Sequence, residues 1–170
     1  MRVLPGQYLL LLLLLLYSKV VKPLRHGSFE LLSEPGQRKH LEDVVRAINL
    51  IESTDPRRFR RIRTFITRIA FFNTRFQGAY IRPGRICGLR PLAEVPGKSE
   101  AVICLYASIL IHEATHGLLQ LRLPNCGANT KRIESICLAE QERFLSKFRR
   151  LVPDIAEVIR NNKKPTFAKT

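Results

Sequence analysis

The sequence predicts an α+β domain that is mostly helical, and three observations predict it. Apolar residues recur at helical spacing over about residues 39–53, 56–73, 99–121 and 131–151. Between the second and third stretches, two short apolar runs bracket Arg82-Pro83-Gly84-Arg85, the pattern of a β-hairpin around a Pro-Gly turn. The third helix is strongly apolar, yet it carries His112, Glu113 and His116 in its interior.

Length and charge set the outer bounds. A chain of 170 residues suffices for one domain with a proper core and is too short for two large ones. With 45% hydrophobic and 25% charged residues, wholesale disorder is excluded. A formal charge of +15 draws such a surface to anionic partners: phospholipid headgroups, nucleic acid or acidic protein segments. The four cysteines, at 87, 104, 126 and 137, form no CxxC pair, which argues against a thiolate zinc finger or a redox motif. Cys104 and Cys137 lie in apolar helical contexts and read as buried free thiols, although export would permit a disulfide.

In chain order, the first feature is the leucine run Leu9 to Leu16 between Tyr8 and Tyr17. An apolar core of about ten residues is short for a bilayer span and typical of a signal peptide. No small-x-small cleavage site follows, and Lys19, Lys22 and Arg25 outnumber the charges ahead of the run. That asymmetry favours a membrane anchor with the domain on the cytoplasmic side, the alternative being secretion after cleavage. The expected organisation is an anchor or signal segment at 1–25, one domain at 26–162 and a basic tail at 163–170. Gly27 to Arg38 reads as a linker, from its Gly and Pro content.

The helices follow. Leu41, Val44, Val45, Ile48 and Ile51 form the apolar face of the 39–53 helix. Asp55-Pro56 caps and opens the next, expected to run to residue 73 with Phe59, Ile62, Phe65, Ile66, Ile69 and Phe72 as its stripe. Its back carries Arg57, Arg58, Arg60, Arg61, Arg63 and Arg68, either a solvated face or a patch for anionic lipid or nucleic acid. Lipid is favoured by the leucine run, and no base-reading motif accompanies the arginines. Pro124 to Gly127 ends the motif helix, Asn129 or Thr130 caps the 131–151 helix, and Pro153-Asp154 opens a last short one.

His112 and His116, four residues apart on a helix, project from one face one turn apart. That suits two corners of a tetrahedral Zn2+ site, with Glu113 beside them to handle the proton of a water activated by the metal. Buried His and Glu side chains cost several kcal/mol unless a metal or hydrogen bonds satisfy them. A third ligand is required. The chain has Leu119 and Arg122 where a metzincin needs Gly and His, and no Asp between Asp55 and Asp154, so the candidates are Glu134, Glu140 and Glu142. Helical geometry ranks Glu134 first: it falls on the face of Ile133, Cys137, Phe144, Leu145, Phe148, Leu151 and Val152, expected to point inward, whereas Glu140 lies on a flank and Glu142 points to solvent.

His112-Glu113-x-x-His116 followed by Glu134, with seventeen residues between, resembles the gluzincin branch of the zincin metallopeptidases, and the length is similar to that of the minimal members called minigluzincins. The resemblance spans about residues 78–150. It implies a minimal zincin-like fold, a Zn2+ cofactor held by His112, His116 and Glu134, and hydrolysis of a peptide or protein substrate with Glu113 as general base. It also implies that the 79–89 hairpin, through Tyr80 and Ile81, pairs with extended substrate. Gluzincins often supply a downstream Tyr or His to stabilise the oxyanion, and this chain has neither after His116; Tyr80, Tyr106 or an Arg are the available substitutes. A non-catalytic zinc-binding regulator, associated with membrane or nucleic acid, is the alternative.

Overall fold

The computed structural model describes residues 23–33, 38–71, 77–82, 84–93, 95–122 and 130–163. The leucine run, the stop at 124–127 and the tail beyond Lys163 lie outside them. The described residues form a five-stranded mixed sheet and five α-helices: β1 (Leu24–His26), β2 (Phe29–Leu32), α1 (Arg38–Thr54), α2 (Pro56–Phe65), β3 (Arg68–Phe71), β4 (Gly78–Ile81), β5 (Ile86–Leu89), α3 (Ser99–Arg122), α4 (Thr130–Leu145) and α5 (Val152–Lys163). A 3₁₀ turn, Ser146–Leu151, joins the last two. The fold is α+β and mostly helical, as expected.

Sheet order is β1-β2-β3-β5-β4. The outer pairs are antiparallel and the inner pairs, β2 with β3 and β3 with β5, are parallel. Parallel neighbours need a crossover, which α1 and α2 supply between β2 and β3. Inner strands covered on both faces read as continuous apolar runs. That explains why β5 is buried throughout and why Ile69, Ala70 and Phe71 of β3 are all buried.

Two sequence expectations are corrected here. The expected linker contains β2, whose Phe29, Leu31 and Leu32 are at most 2% exposed, and the sheet takes in Leu24 and Arg25 as well. The Gly and Pro flanking this short strand masked it. The helix expected at 56–73 stops at Phe65, and Arg68–Phe71 becomes β3. Ile66, Thr67 and Ile69 are β-branched and prefer extended backbone, and a run apolar on both faces satisfies helical and buried-strand patterns equally.

The shortened helix also divides the arginines. Arg57, Arg60 and Arg63 stay exposed, Arg68 pairs with Glu30 in the neighbouring strand at 2.7 Å, and Arg58 and Arg61 turn inward toward Glu140. The helix expected at 131–151 ends at Leu145, because Phe148 adopts φ −115°, ψ 43° and kinks the chain before α5.

At the hairpin, the left-handed residue is Arg85 (φ 50°) rather than Gly84. The Arg85 guanidinium offsets that strain by donating to the carbonyls of Arg63 and Thr64 at the C-terminal end of α2, where unpaired carbonyls and the helix dipole favour a cation.

α3 is the centre of the molecule. Fifteen of its twenty-four residues are buried, and it packs against α1, α2, α4, α5 and β4. By length and hydropathy it is the one described helix able to cross a bilayer, but 78% of its most apolar window is buried inside the protein, so the core accounts for its apolar length.

The joint between α1 and α2 shows how charge is used. Asp55 accepts the Arg58 N–H at 3.1 Å as N-cap and also pairs with the Arg58 guanidinium and Lys147. Burial pushes its carboxyl up, but the hydrogen bonds from Lys147 and Arg58 outweigh burial and hold it at about 2. A depressed folded pKa contributes stability fully present above the unfolded value of 3.8 and lost as pH falls toward about 2. Asp55→Ala is expected to destabilise the fold by about 2 kcal/mol near neutral pH. In denaturant melts, the gap between variant and parent should shrink as pH drops from about 4 to about 2.

Candidate metal centre

α3 and α4 build the site. His112 and His116 sit one turn apart on α3 with their Nε2 atoms 3.1 Å apart. Glu134, in the first turns of α4, brings Oε2 to 3.5 Å from His112 Nε2 and Oε1 to 3.2 Å from His116 Nε2. The three expected ligands therefore converge. A tetrahedral ion with bonds of about 2.0–2.2 Å separates its N and O donors by about 3.3–3.5 Å, so this triangle has the required size.

The protonation states suit the same use. Burial pushes the proton affinity of both rings down, against a smaller opposing effect of Glu134, and favours the neutral imidazoles a metal requires.

The burial expected of Glu134 is not what places it there. Its side chain is 47% exposed, at the rim of the site, while those of His112 and His116 are 13% and 15% exposed. The face of α4 that packs on α3 is carried by Cys137 and Phe144, both fully buried, whereas Leu138 and Val152 are each 49% exposed. Glu140 belongs to a different cluster, with Arg61 at 3.0 Å, Arg58 at 3.3 Å and Arg143 at 2.6 Å. Burial pushes its carboxyl up, yet Arg143 and Arg61 hold it below the usual range. Glu142 is exposed, as expected.

Glu113 is only 5% exposed and is held from above by β4. Alternation along this strand orients it: the Arg90 N–H bonds the Gln77 carbonyl, so residues 77, 79 and 81 bond toward β5 while Gly78 and Tyr80 turn their backbone groups to the outer edge of the described sheet. The Tyr80 N–H donates to the Glu113 carboxylate from that edge. Burial, then the nearby Glu134 charge, pushes the Glu113 carboxyl up to about 8, against the lowering effect of that N–H. Glycine is needed where strand and helix touch. A Cβ on Gly78 would lie 2.7 Å from Glu113 Oε1, and one on Gly117 would lie 2.8 Å from Phe65 Cβ and 2.9 Å from Tyr80 Cζ.

Tyr80 thus lies across the motif helix at Gly117. Ile81 does not reach the site: it is 4% exposed and packs with Leu32, Ala70 and Ile86 on the sheet's other face, one residue out of phase with Tyr80. Tyr106 cannot serve as an oxyanion partner, since its fully buried hydroxyl accepts the Leu92 N–H at 2.9 Å in the core.

Two residues were missed in the sequence. Cys137 lies one turn after Glu134, and donor atoms of His112, His116 and Cys137 all fall within 4.8 Å of one another, a group able to hold a metal ion. Burial, then the Glu134 and Glu113 charges, pushes its thiol up to about 12. Gln141, one turn further, is tethered to Ser108 Oγ at 3.0 Å and approaches His112. That approach is loose, and the buried His112 Nδ1 has no hydrogen bond of normal geometry. The spacing 134, 137, 141, 144 is one helical face, and that periodicity was the available signal.

No protein-family model, curated protein or solved structure matches this chain. The functional reading therefore stands on its own residues.

Because Gln141 approaches His112 and donates to the buried Ser108, Gln141→Ala should weaken metal binding by about 10–100-fold and lower the thermal melt of the metal-free protein by a few degrees. Competition with a chromogenic chelator measures the first, and circular dichroism the second.

Proposed function

We propose that this chain is a zinc-dependent metallopeptidase on a minimal zincin-like scaffold. The observation that carries the reading is the triangle of His112 Nε2, His116 Nε2 and the Glu134 carboxylate, with edges of 3.1, 3.2 and 3.5 Å, beside a buried Glu113. Hydrogen bonding alone satisfies such a cluster poorly, since each neutral ring carries one proton and all three edges are short. Zn2+ held there supplies Lewis acidity, polarising a carbonyl and making water acidic enough to attack at neutral pH.

Every other step belongs to the protein. Glu113 accepts the proton of the attacking water and returns it to the leaving amine. The Tyr80 N–H and the absent side chain of Gly78 fix where that carboxylate points. An extended peptide pairs along the outer edge of β4, using the remaining outward backbone groups of Gly78 and Tyr80. The buried Ile81 side chain takes no part.

Membrane association is proposed as the setting. It is supported by the exposed Arg57, Arg60 and Arg63 of α2 and by the leucine run in the sequence. Nucleic acid is the lower-ranked anionic partner. The protein should sediment with anionic vesicles and show no salt-sensitive retention on duplex DNA; the reverse result exchanges the two.

The catalytic assignment is tested on the full chain in detergent, with quenched-fluorescent peptide libraries and metal analysis. Glu113→Gln should keep stoichiometric zinc and lose hydrolysis by at least about 100-fold. Glu134→Ala should bind zinc more weakly than the parent. Undiminished turnover in the first variant removes Glu113 from the chemistry, and a zinc affinity equal to the parent's in the second moves the third ligand elsewhere.

A further inference from the structure

Cys137 has no part in the reaction just described, yet it is placed among the donors. It sits three residues after Glu134, so on α4 the carboxylate and the sulfur emerge one turn apart on adjoining positions of one face. The sulfur is fully buried, while the carboxylate is 47% exposed, so the pair reaches the two imidazoles from the floor and from the rim. Donor atoms of His112, His116 and Cys137 lie within 4.8 Å of one another.

A tetrahedral ion with a metal–sulfur bond of about 2.3 Å needs its sulfur about 3.6 Å from an imidazole nitrogen. Toward each imidazole nitrogen the sulfur must close by at most about 1.2 Å, and one change of staggered rotamer about χ1 moves a cysteine sulfur by about 3 Å.

Filling space does not explain the choice of a thiol here. Cys87 and Cys104 are also buried and free, and neither belongs to such a group among the described residues. Alanine or serine fills a similar volume at 137 without placing a soft donor beside two histidines.

We propose that Cys137 is a fourth inner-sphere ligand, so that the resting centre is a closed His112–His116–Glu134–Cys137 shell. This rests on the metal reading of the three-residue triangle. Binding breaks the S–H bond, forms a metal–sulfur bond and releases the proton to solvent. A closed shell leaves no position for substrate, so the sulfur must withdraw before a peptide carbonyl or water can enter. The thiolate therefore competes with substrate for the fourth position, lowering turnover without abolishing it, and biases the centre toward zinc or cobalt over magnesium or calcium.

The test uses Co2+ on the full chain, with Cys137→Ala and Cys137→Ser alongside. Cobalt bound to the parent should give intense tetrahedral d–d bands together with a near-ultraviolet thiolate-to-cobalt charge-transfer band. Both Cys137 variants should keep the d–d bands and lose the near-ultraviolet one, and should release about one proton fewer when binding is followed by calorimetry in buffers of different ionisation enthalpy. The serine variant keeps the side-chain volume, so it reports if the alanine variant misfolds. Tetrahedral d–d bands in the parent without a charge-transfer band overturn the sulfur ligand and leave the His112–His116–Glu134 site standing. A charge-transfer band that persists in both Cys137 variants assigns it to another cysteine and overturns the proposal too. Absence of any cobalt binding by the parent overturns the metal site and this proposal together.

Discussion

The structure depends on keeping a buried polar helix satisfied. α3 runs through the middle of the protein, yet it carries Ser108, His112, Glu113, Thr115 and His116, of which Ser108, Glu113 and Thr115 are at most 5% exposed. A buried polar group without a partner costs a few kcal/mol, a large part of a domain's net stability. The neighbours of α3 are arranged to answer these groups. Arg61 of α2 donates to the Thr115 hydroxyl at 3.0 Å, Gln141 of α4 donates to Ser108, and the Tyr80 N–H on β4 reaches Glu113. Glu134 answers both histidines.

Seen this way, α4 is the polar complement of α3. Arg61 ties the two together, since it donates to both Thr115 and Glu140, and Glu140 in turn gathers Arg58 and Arg143. Most of the buried charge in this part of the protein is therefore paired in a connected cluster, a geometry in which removing one partner costs more than the pair contributes. The same framework that closes the core presents Glu134, Cys137 and Gln141 to the histidine pair, so the stability of α4 packing and the shape of the site are one property.

Much of this was legible in the sequence, for identifiable reasons. α1 and α3 were found nearly to the residue because long amphipathic or wholly apolar helices leave a strong period. Glu134 was found by helical phase, although through a burial argument that its half-exposed side chain does not obey. The sheet was harder. β2 is four residues long and lies in a Gly- and Pro-rich stretch, so nothing local marks it as an inner strand. β3 continues the apolar rhythm of α2, and its extended form is decided by pairing with β2 and β5, contacts remote in sequence. Ile81 was misplaced for a related reason: adjacent strand residues face opposite sides, so sharing a strand with Tyr80 put its side chain in a different layer. Cys137 and Gln141 are unmarked in the sequence because each is an ordinary helix residue until His112 is beside it.

The strand order carries a consequence for how the protein can be handled from outside. β1 and β4 are opposite edges of the sheet, four interstrand spacings or about 19 Å apart. The chain enters the fold through β1, while β4 borders Glu113. Whatever holds the chain ahead of Leu24 thus pulls on one margin, and Glu113 lies beside the other. Load applied at the entry point must pass through β2, β3 and β5 before it disturbs the strand that aims the Glu113 carboxylate.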